Sequence, residues 1–238
     1  MKSLKESIFK ESIFKESIFN DVEDIVNNDT VLIDQFLKDN YEIRGTYTIK
    51  DNIVDVKGHV IVKNEKIESL TNGLFRFGTV SGNFDCADCP KLTSFKGGPK
   101  KVSKDFDCEG CNNLKTLDGA PKEVGGNFWC NSCKNLISLE GAPEKVGVSF
   151  YCYKCPRLVS LEGAPEEVDK CFDCSYCENL TSLKGAPEKV GGDFYCVKCS
   201  NLVSLEGAPK KVGKSFWCGD CRNLKITDQD RKKYNLED

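Results

Sequence analysis

Fourteen of the fifteen cysteines fall in seven Cys-x-x-Cys pairs: Cys86/Cys89, Cys108/Cys111, Cys130/Cys133, Cys152/Cys155, Cys174/Cys177, Cys196/Cys199 and Cys218/Cys221. Successive pairs are separated by 18 residues. On spacing alone, C-x2-C-x18-C-x2-C suits zinc held by two thiolate pairs. Two other chemistries compete: columns of free structural thiols, and disulfides. Seven pairs cannot be grouped two by two, and equal gaps select no partner for any pair. A buried thiol also packs as a small hydrophobe with a weak S–H donor. Disulfides are geometrically open to rungs about 4.8 Å apart. A reducing cytosol opposes them, and no export signal is visible. Cys171 is the unpaired thiol; it directly precedes Phe172, so strand alternation turns it outward. A thioredoxin-like role needs a βαβ context that is missing. No residue is assigned as a metal ligand, and no cofactor is expected.

The elements that must carry these thiols form a repeat. Phenylalanine recurs at 84, 106, 128, 150, 172, 194 and 216, always two residues before the first Cys of a pair. Leucine follows at 92, 114, 136, 158, 180, 202 and 224, with Phe95, Leu117, Leu139, Leu161, Leu183 and Leu205 three later. A Gly-Ala-Pro turn such as Gly141-Ala142-Pro143 comes next, and valine closes the unit at 102, 124, 146, 168, 190 and 212. The period is 22 residues throughout. So short a unit cannot bury its own apolar face; stacked copies bury Phe on Phe, Cys on Cys and Leu on Leu. Period-two alternation makes F-x-C a short strand. In-register strands stack at about 4.8 Å, giving a rod roughly 34 Å long.

This unit, V-G-G-x-F-x-C-x-x-C-x-N-L-x-S-L-x-G-A-P, resembles the leucine-rich repeat over residues 80–226. Phe and the first Cys stand at the strand leucines, and the second Cys at the Asn/Cys ladder position. The SLEGAP and VGG-F-x-C variant is similar to repeats of bacterial and phage proteins. Two features depart from the family: the next Leu follows the second Cys by three residues, and no helix-forming stretch occupies the convex side. The resemblance implies a mainly β fold, a leucine-rich-repeat-like β-solenoid of about seven 22-residue rungs. It also implies an N-terminal helical and strand cap.

Four segments follow. Residues 1–27 hold Lys-Glu-Ser-Ile-Phe three times and are expected to form a leader helix or targeting segment. Residues 28–79 are the N-terminal cap. It holds a short helix over 30–39 with Thr30 as N-cap, one or two strands over 41–56, and a degenerate unit at Val60–Asn64, Ile67 and Leu70. Residues 80–227 are the solenoid, and 228–238 a C-terminal cap or tail.

If Phe and the first Cys face inward, the residue between them faces out. That column is Asp85, Asp107, Trp129, Tyr151, Asp173, Tyr195 and Trp217, and it contains both tryptophans of the chain. The next outward column adds Glu109, Asn131, Tyr153 and Ser175, with Tyr176 alongside. Exposed Trp and Tyr are enriched at binding hot spots. Cross-strand aromatic ladders also stabilise sheets without any partner, by about 0.2–1 kcal/mol per pair.

The partner-binding residues expected from this pattern are Asp107, Trp129, Tyr151, Tyr153, Asp173, Tyr195 and Trp217. The function expected is a non-enzymatic scaffold that binds another protein; a cysteine-array zinc protein is the alternative. The single histidine, His59, lies outside the repeats and is a poor candidate for a general base. Between residues 80 and 227 there are 20 basic and 19 acidic residues, so no nucleic-acid partner is expected. No apolar run of about 18 residues exists, so no membrane span is expected. The setting expected is the cytoplasm, or a virion for a phage-encoded chain. The open ends of the stack leave room for self-association.

Overall fold

The structure, a computed structural model, describes residues 29–236. The repeated leader therefore lies outside the described residues. The described chain is a β-solenoid of about eight turns. A helix, α1, spans residues 29–40. Thr30 lies inside it rather than at its cap. A hairpin follows: β1 (Tyr41–Lys50) pairs antiparallel with β2 (Ile53–Val62) in unbroken register. Ile33 and Leu37 of α1 are buried at the N-terminal end of the core, and the Tyr41 hydroxyl donates to the Leu70 carbonyl. Phe36 packs edge-on against Phe75. The first rung thus never faces water.

Beyond the cap each turn carries two short parallel strands, where the F-x-C pattern predicts one. After β3 (Arg76–Val80), Phe-x strands alternate with strands ending in the recurrent valine. They run β4 (Phe84–Asp85), β5 (Lys101–Val102), β6 (Phe106–Asp107), β7 (Glu123–Val124), β8 (Phe128–Trp129), β9 (Lys145–Val146) and β10 (Phe150–Tyr151). The series ends with β11 (Glu167–Val168), β12 (Phe172–Asp173), β13 (Lys189–Val190), β14 (Phe194–Tyr195), β15 (Lys211–Val212) and β16 (Phe216–Trp217). Two parallel ladders result, joined at β2, whose first half pairs with β3 and second half with β4.

Inside, the phenylalanines stack ring on ring at 5.0–5.5 Å from Phe84 to Phe216. The valine, cysteine and leucine columns are buried with them except at the last turn. Leu139-Glu140-Gly141-Ala142 closes a turn through Ala142 N–H to Leu139 O at 3.0 Å. Gly141 sits at φ +85°, the third position of a type II turn, where a Cβ would meet Leu117 and Asp118 backbone at 2.7 Å. Here glycine is required twice over, by conformation and by the rung beneath.

The C-terminal segment is a cap: α2 (Asp228–Tyr234) begins with a Thr227/Asp230 capping box. Its Tyr234 stacks on Phe216 at 4.2 Å and donates to Pro209 O. This cap is partial, since Cys218, Cys221 and Leu224 remain half-buried. No described helix is long and apolar enough to cross a membrane.

Candidate functional site

The thiols come first, because their spacing suggested metal. Twelve are buried; Cys171, Cys218 and Cys221 are half-exposed, and all fifteen are free. From the second pair onward, the second Cys donates its S–H to the carbonyl of the first Cys one turn back. Cys111 reaches Cys86 O at 3.1 Å, Cys155 reaches Cys130 O at 3.3 Å and Cys199 reaches Cys174 O at 3.3 Å. Three first cysteines, Cys86, Cys108 and Cys174, donate forward, as Cys108 does to Trp129 O at 3.0 Å. The result is a ladder of weak hydrogen bonds that consumes buried carbonyls.

Burial pushes the thiols of Cys130, Cys152 and Cys177 far above the ordinary range, with neighbouring cysteines adding to the effect. A bound metal would require these thiols to ionise. Among the described residues no group of three or more Cys, His, Asp or Glu is arranged to hold a metal ion. His59 is engaged structurally, its Nδ1 accepting the Asn83 amide at 3.2 Å.

The outward column forms as its alternation implies. Register aligns Asp85, Asp107, Trp129, Tyr151, Asp173, Tyr195 and Trp217 one above another. Trp129 stacks on Tyr151 at 6.0 Å with planes 8° apart, and Tyr195 on Trp217 at 6.3 Å with planes 5° apart. Tyr153 meets Tyr151 edge-on at 6.5 Å. All are half-buried except Trp217, which is 50% exposed.

The second outward column differs from expectation. Asn131 is fully buried and Ser175 nearly so, because the larger neighbours in their own and adjoining columns close over them. Neither Asn131 Oδ1 nor Nδ2 has a hydrogen-bond partner among the described residues. Ser175 accepts the Val197 amide at 3.1 Å, a structural bond.

Charge distinguishes this face. The residues immediately before and after each Phe, together with the residue after the first Cys, include Asp85, Asp105, Asp107, Glu109, Asp173 and Asp193 but no Lys or Arg. On other faces lysines meet carboxylates across rungs, as in Lys101–Glu123 at 2.8 Å and Lys210–Glu188 at 2.6 Å. None of the ion pairs among the described residues involves a carboxylate of the aromatic face. Locally these aspartates serve the backbone, since Asp85, Asp107 and Asp173 each accept the amide two residues on, at 2.9–3.0 Å. An uncharged acceptor does that equally well.

Burial raises Asp107 to about 6, reinforced by the charges of Asp85, Glu109 and Asp88 and opposed by the Glu109 amide bond. The folded state therefore holds this proton more tightly than the unfolded chain. Stability contributed by the group is greatest below its unfolded pKa of roughly 4. It is lost as pH rises through about 6. Asp107→Asn keeps the Oδ1 acceptor and removes the charge. It is expected to stabilise the protein at pH 7 by about 1 kcal/mol after allowance for solvent screening. The gain should vanish at pH 4; urea melts at both pH values measure it, and equal stability at pH 7 contradicts the account.

A second exposed strip, Ile137, Val159 and Val203, lies past the second Cys. Thr181 interrupts it and Lys115 and Lys225 bound it, so it lacks a continuous apolar surface.

Compared with family models, curated proteins and solved structures, the chain matches none of them.

Proposed function

We propose that this protein is a non-enzymatic scaffold that binds another protein through the face built on Asp107, Trp129, Tyr151, Tyr153, Asp173, Tyr195 and Trp217. One observation carries the reading: the only tryptophans of the chain sit on a solvent-facing ladder whose carboxylates are left without cationic partners among the described residues. The columns of this face hold carboxylates and no Lys or Arg, so a complementary partner would present positive charge to it. The rod supplies rigidity, since each ladder residue is fixed by parallel neighbours. We infer that the rungs are a leucine-rich-repeat variant in which a thiol ladder stands where that family has asparagine. Free thiols fit a reducing cytoplasm. The similarity to phage repeats suggests a phage-encoded chain acting there. What weighs against the zinc reading is that no group of three or more Cys, His, Asp or Glu among the described residues is arranged to hold a metal ion.

Replacing Trp129 and Trp217 by Ser tests the reading. Affinity capture from the native host is expected to recover a partner with the parent chain and to lose it, by at least tenfold, with the double variant. Circular dichroism should stay unchanged. Equal recovery by both chains, or global unfolding of the variant, overturns the proposal and leaves the ladder a stabilising device.

A further inference from the structure

The aromatic ladder is interrupted once. Tyr151 lies directly across from Asp173, and Asp173 directly across from Tyr195. Tyr151 is parallel to Trp129 on one side, and Tyr195 is parallel to Trp217 on the other. Each tyrosine therefore turns its second face along the rod toward the rung between them. Asp173 is much shorter than either ring, so a slot remains above its carboxylate. Two rung spacings of about 4.8 Å set the width. A group centred over Asp173 is then about 5 Å from each ring, inside the roughly 6 Å range of a cation–π contact. The ring–cation contacts among the described residues lie elsewhere, with Lys154 over Tyr153, Lys198 over Tyr176 and Lys233 over Tyr234.

We propose that this slot, framed by Tyr151 and Tyr195 and floored by Asp173, takes an arginine side chain of the protein partner. The inference rests on the scaffold reading above and names the chemistry of its central contact. A planar guanidinium can stack on a tyrosine ring, and its fork matches a carboxylate that an ammonium meets only as a point charge. Asp173 Oδ1 already accepts the Ser175 amide at 2.9 Å, which holds the carboxylate in place. Asp193 on the next rung, in a column that holds no Lys or Arg, adds a field that favours a cation. Asp107 is not an equivalent slot, because its rung has aspartate on one side and a ring only on the other.

The probe is an acetylated, amidated Gly-Gly-Arg-Gly-Gly peptide, titrated into the full chain at low salt and followed by amide NMR shifts. Saturable shifts centred on Tyr151, Asp173, Ser175 and Tyr195 are expected, with a Kd in the millimolar range. The lysine peptide should bind several-fold more weakly, and the citrulline peptide not at all. Asp173→Asn, which retains the acceptor for Ser175, should weaken binding at least tenfold with unchanged spectra elsewhere. Tyr151→Leu should weaken it as well. Shifts centred on Asp85 and Asp107, unchanged affinity in Asp173→Asn, or no saturable shift overturns the slot. If the peptide fails while the Trp129/Trp217 double variant still loses its partner, the slot falls and the binding face stands. If capture survives the double variant, the face itself falls.

Discussion

Phe150→Ala is expected to remove about 3–5 kcal/mol of stability, among the largest effects of a single side-chain truncation in the rod. Phe150 is fully buried in mid-stack, with Phe128 at 5.1 Å and Phe172 at 5.3 Å. Backbone pairing to Phe128 and Phe172 fixes both neighbouring strands, so the cavity cannot close by collapse. Two ring stackings disappear along with the buried area. Rungs touch only their neighbours, so the damage also cuts cooperativity between the two halves of the stack. Urea unfolding should show a lower midpoint and a shallower slope. Phe216→Ala is the control: that ring has a rung on one side only and is capped by Tyr234. Its loss should cost distinctly less, about 1–3 kcal/mol. A Phe150→Ala chain within about 1 kcal/mol of the parent contradicts a continuously packed aromatic column.

The second large effect concerns sulfur. At pH 8 a thiol reagent is expected to modify only Cys171, Cys218 and Cys221 in the folded chain. The other twelve are buried, and their reaction should be slowed by at least about a thousandfold, because each needs an opening of the stack. Cys218 should react slowly, since burial and neighbouring Cys221 push its pKa up to about 11. Cys171 is half-buried, with its sulfur 4.0 Å from the Asp193 carboxylate. Mass spectrometry of time-resolved labelling identifies each site. A chelator added before labelling should change neither the count nor the rates. Simultaneous modification of most thiols, or release of thiols by a chelator, contradicts the free-thiol ladder.

Much of the architecture was legible because recurrence at one period has few physical solutions. Phe84 to Phe216 at steps of 22 can be buried only against their own copies, and the structure stacks them so. The second Cys was legible as a ladder residue from its place in the repeat. The direction of its hydrogen bond was not, because that depends on which carbonyl lies one turn back. The valine strands were missed. A closing Val preceded by charged residues has no alternation long enough to signal two-residue pairing.

The residue before each second Cys adopts a left-handed conformation in all seven turns, with φ between +53° and +70°. Only Gly110 carries the residue type that normally announces it; the others are Asp88, Ser132, Lys154, Tyr176, Lys198 and Asp220. There the ladders on both sides impose the bend.

The chain's order of residues settled the period, the inward columns and the outward Trp, Tyr and Asp, since side-chain direction in a strand follows from parity. Only the folded stack decided what those outward residues meet. Asn131 has the same parity as Tyr153, yet larger neighbours bury it. Asp173 has the same parity as Asp107, yet it alone stands between two ring faces. Parity is a local property of the backbone. The company a side chain keeps is set by residues 22 positions away in both directions, and by how far each reaches from the sheet.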